Sequence, residues 1–311
     1  MKMSKKEKVK IVILTGPTGV GKTEFSLNLA REFNAEIVNA DSMQIYRYMD
    51  IGTAKPTKEE RALVPHHLID IRNPDEDYDA AQFKSDAEAV INRLIEQQKL
   101  PLVVGGTMLY LKVLTHGIFP SPGPDKKLRE KLRQIAAKKG IAYLHAYLQR
   151  IDPEAAVRIQ PHDLVRIIRA IEVYELTGKP ISWHQKRHQF QERPYDYLKI
   201  CLYLPRDILY KRINMRVEKM FARGLIEEVE RLLKMGYSPA LKSMQAIGYR
   251  HVIGYLKGKY SLERAKELLK RDTRRYAKRQ LTWWRQDKEV LWFEPTEQKR
   301  IRNAIRRWLA G

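Results

Sequence analysis

In the first third of the chain, strand-like apolar runs alternate with segments that have the apolar spacing of a helix. β-Branched and apolar runs predict strands at residues 10–15, 35–39 and 101–104. Between them, residues 23–33 and 80–98 carry apolar positions three and four apart, which is the spacing of one buried helix face. Strands that alternate with helices favour a parallel sheet joined by crossover helices. We therefore predict an α/β fold for this part of the chain.

The pattern changes at residues 119–124, where three prolines and a glycine interrupt any helix. Beyond this linker, helical spacing predicts helices at about 126–139, 142–150, 153–160 and 163–177. Strand-like alternation returns at 197–204, and further helices are predicted at about 206–235, 241–256, 261–286 and 297–310. We therefore expect a core formed by residues 1–118 and 197–311, with an all-helical domain inserted at 119–196.

Positive charge is concentrated in the second part of the chain. The chain has 59 Lys+Arg against 37 Asp+Glu, which gives a net charge of +22. Residues 1–115 contain 16 basic and 16 acidic side chains, so the whole excess lies beyond them. A neutral part joined to a basic part suggests a small substrate for the first and a polyanion for the second. Nucleic acid is the leading polyanion, and an anionic membrane is the weaker alternative because no single apolar anchor accompanies the basic residues.

Several features predict a cytoplasmic protein that does not associate with membranes. No apolar run approaches the roughly 18 residues of a membrane helix. The lysine-rich residues 1–10 lead into a short apolar stretch and then a glycine motif, so we predict no signal peptide. A single cysteine, Cys201, excludes an internal disulfide and suits a reducing compartment. We expect a monomer.

A phosphate-binding loop follows the first predicted strand. The stretch Gly16-Pro17-Thr18-Gly19-Val20-Gly21-Lys22-Thr23 matches G-x-x-x-x-G-K-[ST] and precedes a predicted helix, as the motif requires. Its backbone N–H groups and the helix N-terminus attract phosphate, Lys22 adds a positive charge, and the Thr23 hydroxyl would hold Mg²⁺ against the phosphates. The sequence therefore predicts a magnesium-dependent diphosphate site formed by Gly16, Thr18, Gly19, Val20, Gly21, Lys22 and Thr23.

The loop alone does not identify the bound molecule. A phosphotransferase of this class normally has a carboxylate at the end of a neighbouring strand, to organise Mg²⁺. Here the strand at 101–104 is followed by Gly105-Gly106-Thr107, and Asp41, after the second strand, is the nearest candidate acid. A P-loop kinase or RNA-stimulated NTPase, and an RNA-binding protein without catalytic activity, both remain alternatives at this point.

Four further stretches resemble one enzyme family, the tRNA dimethylallyltransferases. They are Asp41-Ser42-Met43-Gln44-Ile45-Tyr46, Gly105-Gly106-Thr107-Met108-Leu109-Tyr110, Gln245-Ala246-Ile247-Gly248-Tyr249-Arg250 and Thr273-Arg274-Arg275-Tyr276-Ala277-Lys278-Arg279-Gln280. With the P-loop, they occur in the family's order over about residues 10–290. Eukaryotic members carry a C-terminal zinc finger with cysteines, and this sequence has no counterpart, which is typical of the bacterial type.

The resemblance implies an activity and roles for individual residues. Such an enzyme transfers a dimethylallyl group from dimethylallyl diphosphate to the exocyclic amine of the adenosine 3′ of the anticodon in tRNA, and pyrophosphate leaves. Asp41 would be the general base, and Thr107 would donate a hydrogen bond to the diphosphate. An arginine of the 206–235 helix would neutralise the leaving group. Arg212 and Arg216 lie on one face of that helix, and we favour Arg212.

The resemblance also implies a set of residues that contact the anticodon stem–loop of tRNA. Val165 stands where the family usually has a glutamine, which weakens the case for a base contact there. Arginine and aromatic side chains of the 261–286 helix would contact RNA, although Tyr276, Leu281 and Trp284 could instead face the core. An enzyme acting on free adenine nucleotides is a further alternative, but it would have little use for a basic insertion. The predicted tRNA-binding residues are Asp41, Ser42, Met43, Gln44, Arg129, Val165, Arg166, Arg169, Gln245, Gly248, Tyr249, Arg250, Arg274, Arg275, Lys278 and Arg279.

Overall fold

The computed structural model describes residues 8–311. The prediction about a signal peptide falls mainly on residues 1–7, which lie outside the described residues. Contacts divide the chain into two compact units. The first comprises the chain up to Thr115 together with Pro194–Gly311, and the second is His116–Arg193. Each boundary lies three residues before the corresponding predicted one.

The first unit contains a six-stranded sheet in which every described strand pair is parallel. The strand order is β3-β2-β4-β1-β5-β6. The strands are β1 (Val9–Thr15), β2 (Ala35–Asn39), β3 (His66–His67), β4 (Leu100–Val104), β5 (Tyr195–Leu202) and β6 (Val290–Phe293). Four of them match predicted strands. The short strands β3 and β6 were not predicted, because two to four residues are too few to show alternation.

The helices complete the α/β arrangement, and five of them, α5 to α9, form the second unit. In chain order they are α1 (Lys22–Glu32), α2 (Lys58–Leu63), α3 (Ala80–Glu96), α4 (Met108–His116), α5 (Lys126–Lys139), α6 (Ile141–Ile151), α7 (Pro153–Arg158), α8 (Leu164–Thr177), α9 (Ile181–His188), α10 (Arg206–Ala222), α11 (Leu225–Lys234), α12 (Tyr249–Leu256), α13 (Leu262–Trp284) and α14 (Gln298–Ala310).

Two predicted helices are wrong in extent because glycines interrupt them. The segment 206–235 forms two helices, α10 and α11, since Gly224 adopts a left-handed conformation with φ 93°. In the segment 241–256 only α12 is an α-helix, because Gly248 has φ 105° and ψ −71°, a conformation that only glycine adopts readily. The residues before Gly248 form turns instead.

The order of the strands determines where the site forms. Strand β1 is buried on both faces, as expected for a central strand covered by helices, and Ile11, Ile13 and Leu14 are fully inaccessible. β4 lies between β1 and β2. Because parallel strands end at the same edge of a sheet, the loops after β1, β4 and β2 meet there. They are residues 16–23, 105–107 and 41–44, the three stretches in which the sequence predicted catalytic chemistry.

The second unit is entirely helical in the described residues, with its own apolar core. Leu132, Leu148, Ile167 and Ile171 are among the residues buried in it. Across residues 8–311, no helix combines the length and the apolar composition needed to cross a bilayer.

Candidate active site

The P-loop is folded around its own lysine. Lys22 Nζ donates to the carbonyl oxygens of Gly16 (2.9 Å) and Pro17 (3.1 Å). Gly16 has φ 139°, and a Cβ there would lie 2.5 Å from the Leu202 carbonyl oxygen of β5, so only glycine fits. Burial lowers the pKa of Lys22 to about 8, although the Asp41 charge opposes the shift. The ammonium is therefore held in a poorly solvated site, where an anion would stabilise its charged form.

Gln280 of α13 connects the P-loop to the loop after β4. Its side-chain oxygen accepts from the Thr18 N–H (2.9 Å), and its Nε2 donates to the Gly106 carbonyl oxygen (2.9 Å). The side chain is buried, and a Cβ on Gly106 would collide with it at 2.4 Å. The sequence analysis assigned Gln280 no role, although it ends the Thr273–Gln280 stretch. This glutamine sets the distance between two of the three loops.

Asp41, Ser42 and Thr107 form the other side of the site. One carboxylate oxygen of Asp41 accepts from the Met43 N–H (2.9 Å), and the other has no partner within residues 8–311. The Ser42 N–H donates to the Thr107 hydroxyl (2.9 Å), which donates to Ser42 Oγ (3.3 Å). Asp41 thus supports a turn, as a purely structural role would require, but keeps one oxygen available as a base.

A cavity of about 350 Å³ joins Thr18 of the P-loop and the turn at 41–43 to helices α10, α12 and α13, whereas Thr107 does not line it. Its polar lining includes Thr18, Asp41, Ser42, Arg216, Gln245, Arg250, Tyr276 and Arg279. An apolar wall is formed by Ile213, Val217, Met220, Ile247 and Leu269. The cavity therefore offers a charged end next to the P-loop and an apolar region large enough for a short hydrocarbon group.

The structure distinguishes the two arginines of α10. Arg212 is exposed and does not line the cavity, and its Nη1 donates to the Val20 carbonyl oxygen of the P-loop (3.3 Å). Arg216 lines the cavity with Asp41. Burial lowers the pKa of Arg216, and the negative charge of Asp41 acts in the opposite direction. The guanidinium that reaches the cavity is that of Arg216, whereas the sequence analysis favoured Arg212.

The predicted tRNA-binding residues of the first unit take three kinds of position. Gln245 and Arg250 line the cavity, whereas the Tyr249 side chain is fully buried. Arg274 faces α10, where Nη1 donates to Asn214 Oδ1 (2.7 Å). Arg275, Lys278 and Arg279 of α13 are exposed, and Arg279 also lines the cavity.

The three aromatic and apolar positions of α13 that were left open also differ. Trp284 is 1% exposed and belongs to the core, and Leu281 packs against the core. Tyr276 lines the cavity instead. Burial and the nearby Asp41 charge raise the pKa of the Tyr276 phenol, so the hydroxyl stays neutral and can donate a hydrogen bond.

In the second unit, Arg129 and Arg169 both bind one buried carboxylate. Arg129 makes two hydrogen bonds to Glu172, at 2.7 and 2.8 Å, and Arg169 Nη1 lies 2.5 Å from Glu172 Oε2. Arg169 also donates to Ser121 Oγ and to the Pro122 carbonyl oxygen of the linker. Burial would raise the pKa of Glu172, but the hydrogen bonds from the arginines outweigh it and lower the pKa. These arginines therefore stabilise the unit whether or not they also contact RNA.

The other two predicted residues of this unit are exposed. Val165 is 80% exposed, and Arg166 extends into solvent near Asp163. Arg166 and Arg169 line a surface cavity of about 290 Å³ with Arg158, which gives α8 a basic edge. Exposed arginines on one edge are suited to backbone phosphates.

We expect Glu172→Gln to lower the free energy of unfolding by about 3 kcal/mol, because it leaves Arg129 and Arg169, which are partly buried, without their counter-charge. Glu130→Gln on α5, whose partner Arg133 is exposed, is the matched control and should change stability by less than about 1 kcal/mol. Urea unfolding followed by circular dichroism measures both. The folded pKa of Glu172 lies below its unfolded value, so the difference should persist above about pH 4.3 and shrink as the pH falls below it. Equal effects of the two variants would contradict this role of Glu172.

Comparisons with known proteins agree with this geometry. A model of the IPP transferase family matches residues 44–287. The tRNA dimethylallyltransferase of Geobacter sulfurreducens is 52% identical over 287 residues, which cover 92% of each chain. The crystal structure of the full-length tRNA isopentenylpyrophosphate transferase from Bacillus halodurans has a TM-score of 0.72 at 42% identity and covers 97% of both chains.

A second solved structure extends the similarity to a distant relative. A eukaryotic dimethylallyltransferase captured acting on tRNA has a TM-score of 0.80 at 30% identity, over 94% of this chain and 75% of the other. These matches confirm the α/β fold and the resemblance inferred from the four sequence stretches. The chain belongs to the IPP transferase family, whose relatives named above are tRNA dimethylallyltransferases.

Proposed function

We propose that this chain transfers the dimethylallyl group of dimethylallyl diphosphate to the N6 amine of the adenosine 3′ of the anticodon in tRNA and releases pyrophosphate. The observation that carries the proposal is the single cavity in which Asp41, Arg216 and the P-loop residue Thr18 lie beside an apolar wall. An apolar wall beside a phosphate-binding loop suits a hydrocarbon group attached to a diphosphate. A prenyl donor needs both parts.

The donor occupies the P-loop end of the cavity. The backbone N–H groups of Gly19 and Gly21 and the N-terminus of α1 bind the diphosphate, and Lys22 contributes its charge. Pro17 has no N–H, and the N–H groups of Thr18 and Val20 donate to Gln280 and to the Pro17 carbonyl oxygen. Arg216 lies on the cavity side and neutralises the negative charge that grows as the pyrophosphate leaves. The five-carbon group rests against Ile213, Val217 and Met220.

The acceptor adenine enters beside Asp41. The N6 nitrogen attacks C1 of the dimethylallyl group as the C1–O bond breaks, and the electron pair of that bond leaves with pyrophosphate. The free carboxylate oxygen of Asp41 accepts the N6 proton. The base must leave its stack to enter the cavity, which costs a few kcal/mol, and the Tyr276 ring provides a flat group against which it can stack.

The residues at the P-loop also suit Mg²⁺. Mg²⁺ prefers oxygen ligands and usually keeps several waters while bridging to phosphates. The Thr23 hydroxyl has no hydrogen-bond partner in the described part of the chain and shares a small cavity with Lys22 and Asp41. Thr23 would hold the ion, which when bound offsets negative charge on the diphosphate. No cluster of three or more histidine, cysteine or acidic residues suited to a metal occurs within residues 8–311, so the phosphates would supply much of the coordination.

The direct test combines the purified protein with undermodified tRNA, Mg²⁺ and dimethylallyl diphosphate, followed by mass spectrometry of the nucleosides. We expect a prenylated adenosine and stoichiometric pyrophosphate. With ATP in place of the prenyl donor, we expect no turnover; ATP hydrolysis stimulated by RNA would favour a kinase or NTPase. Prenylation of free AMP but not of tRNA would favour the nucleotide-modifying alternative, and binding of tRNA without any product would favour a non-catalytic RNA-binding protein.

The exposed basic residues of α13, Arg275, Lys278 and Arg279, form a basic edge that should contribute to tRNA affinity by binding backbone phosphates. We expect Arg279→Ala to weaken tRNA binding and to reduce the slope of log K against log salt by about 0.7–0.9, the value of one lost phosphate contact. Arg307→Ala is the control. Arg307 is exposed, and the carbonyl oxygen of its neighbour Trp308 accepts from Lys10 Nζ near the start of β1, at the end of the strand away from the P-loop. Binding measured by fluorescence anisotropy from low to moderate salt distinguishes them. Identical slopes for both variants would remove Arg279 from the interface.

The cytoplasmic location and the monomeric state stay predictions of the sequence.

The inserted helices and the α13 edge each present exposed arginines, which is the charge distribution expected of a protein that binds a folded RNA.

A further inference from the structure

Glu228 of α11 is a buried carboxylate that the reaction described above does not use. Its side chain is 1% exposed. Oε2 accepts from the backbone N–H groups of Asp50 (3.0 Å) and Ile51 (2.8 Å), and Oε1 accepts from the Gly52 N–H (3.0 Å) and the Tyr249 hydroxyl (2.6 Å). Burying a carboxylate is costly unless hydrogen bonds satisfy it, and these four do so. Because Glu228 binds three successive peptide N–H groups, it holds the backbone of residues 50–52 in place.

The backbone that Glu228 holds forms part of the active-site wall. Gly52 and Thr53 line the cavity that contains Asp41. The carbonyl oxygens of Thr53 and Ala54 accept from Nε2 of Gln44, at 3.3 and 3.2 Å. Contacts therefore run from Glu228 through the loop of residues 49–54 to Gln44, in the turn that begins at Asp41.

The same loop is confined from the α12 side. A Cβ on Gly52 would lie 2.5 Å from Tyr249 Cε2, so the tyrosine ring packs directly against the loop backbone. Lys55 anchors the end of the loop, because its Nζ binds Asp50 and Asp70 at 2.6 Å each. Glu228, Tyr249 and Lys55 therefore hold the loop, and none of the three lines the cavity.

The orientation of the Gln44 amide follows from these contacts. Its NH₂ group donates to two loop carbonyl oxygens, so its side-chain oxygen has no partner within residues 8–311. Gln44 shares a small cavity with Asp41, Lys22 and Thr23. Asp41 lines both this small cavity and the larger one that receives the adenine, so the hydrogen bonds of Gln44 hold the turn that carries the base.

We propose that Glu228 is a positioning residue for the acceptor nucleoside: by fixing the 49–54 loop it holds Gly52 and Thr53 in the cavity wall and, through Gln44, the turn that carries Asp41. The inference rests on the proposed prenylation of tRNA adenosine. It requires a carboxylate at this position, because all four partners are donors and an amide would turn its NH₂ group towards two of them.

Steady-state kinetics with each substrate varied in turn test the assignment. We expect Glu228→Gln to lower kcat/KM for tRNA by about tenfold, the cost of hydrogen bonds to a buried charge, while KM for dimethylallyl diphosphate stays unchanged. Glu227→Gln, an exposed neighbour on the same helix, should behave as wild type. A general loss of structure would instead affect both substrates, and equal changes in both would overturn the proposal.

A double-mutant cycle with Gln44→Ala tests whether Glu228 affects the active site through Gln44. If Glu228 acts through Gln44, Gln44→Ala should cost clearly less in the Glu228→Gln protein than in wild type. Additive effects would overturn the proposal. Should Glu228→Gln fail to fold, Tyr249→Phe removes one of the four donors without a change of charge and is used in the same cycle. A wild-type protein that forms no prenylated adenosine would instead contradict the proposed function itself.

Discussion

Replacing Asp41 with asparagine should lower kcat by about 10²–10⁴-fold, the usual contribution of a general base, and should leave the affinity for tRNA nearly unchanged. Asparagine has the same shape, so its side-chain oxygen can still accept from the Met43 N–H that Asp41 binds at 2.9 Å. The turn and the cavity wall are therefore preserved. What is lost is the second oxygen as a proton acceptor, since an amide does not take up a proton at neutral pH.

Single-turnover rates and equilibrium tRNA binding separate the two possible roles of Asp41. Asp75→Asn, at an exposed position that does not line the cavity, changes the net charge equally and should retain wild-type rates. A parallel loss of tRNA affinity in Asp41→Asn would show that this residue binds the RNA and does not act as the base. A rate close to wild type would show that the proton leaves by another route.

Arg216→Ala should lower kcat by about 10²–10³-fold, because the guanidinium faces charge that develops only as the pyrophosphate leaves. Arg212→Ala is the matched control, one helical turn earlier. Arg212 is exposed and binds the Val20 carbonyl oxygen, so its loss should disturb the P-loop slightly and change KM for dimethylallyl diphosphate more than kcat.

Arg216→Lys adds a test of geometry. Lysine keeps the charge but has no planar fork to bind two phosphate oxygens together, so we expect partial recovery relative to alanine. Rates measured at saturating donor give kcat for the three variants. A larger kcat defect in Arg212→Ala than in Arg216→Ala would reverse the assignment and restore the choice favoured by the sequence.

The extent of the helices shows where sequence patterns reach their limit. Residues 126–139 were predicted to the residue, because apolar spacing, the Asp125 cap and Gly140 are all local signals. The segment 206–235 was predicted as one helix although Gly224 lies within it. Glycine is tolerated inside a helix as well as at its end, and only the packing of α10 and α11 decides between the two.

The electrostatic partners of arginine could not be predicted either. Arg129 and Arg169 carry the same charge as Arg166, and the sequence predicted all three to contact tRNA. In the structure, Glu172 binds the first two, while Arg166 stays exposed. Arg169 and Glu172 are three residues apart on α8, a spacing that the sequence does show. The pair between Arg129 and Glu172, 43 positions apart, depends on how α5 and α8 pack, which no local pattern encodes.

The sequence by itself determined the P-loop, the acid after the second strand, the glycine loop after β4 and the family, because strands and the loops at their ends leave short, local patterns. In a parallel sheet those loops must meet at one edge, so the reaction centre followed from the chain order. Only the tertiary structure decided that Arg216 and not Arg212 reaches the cavity, and that Gln280 and Glu228 hold its loops. Arg212 and Arg216 lie one helical turn apart and so share a helix face, but the distance of each from the site depends on how helices that are remote in the chain pack.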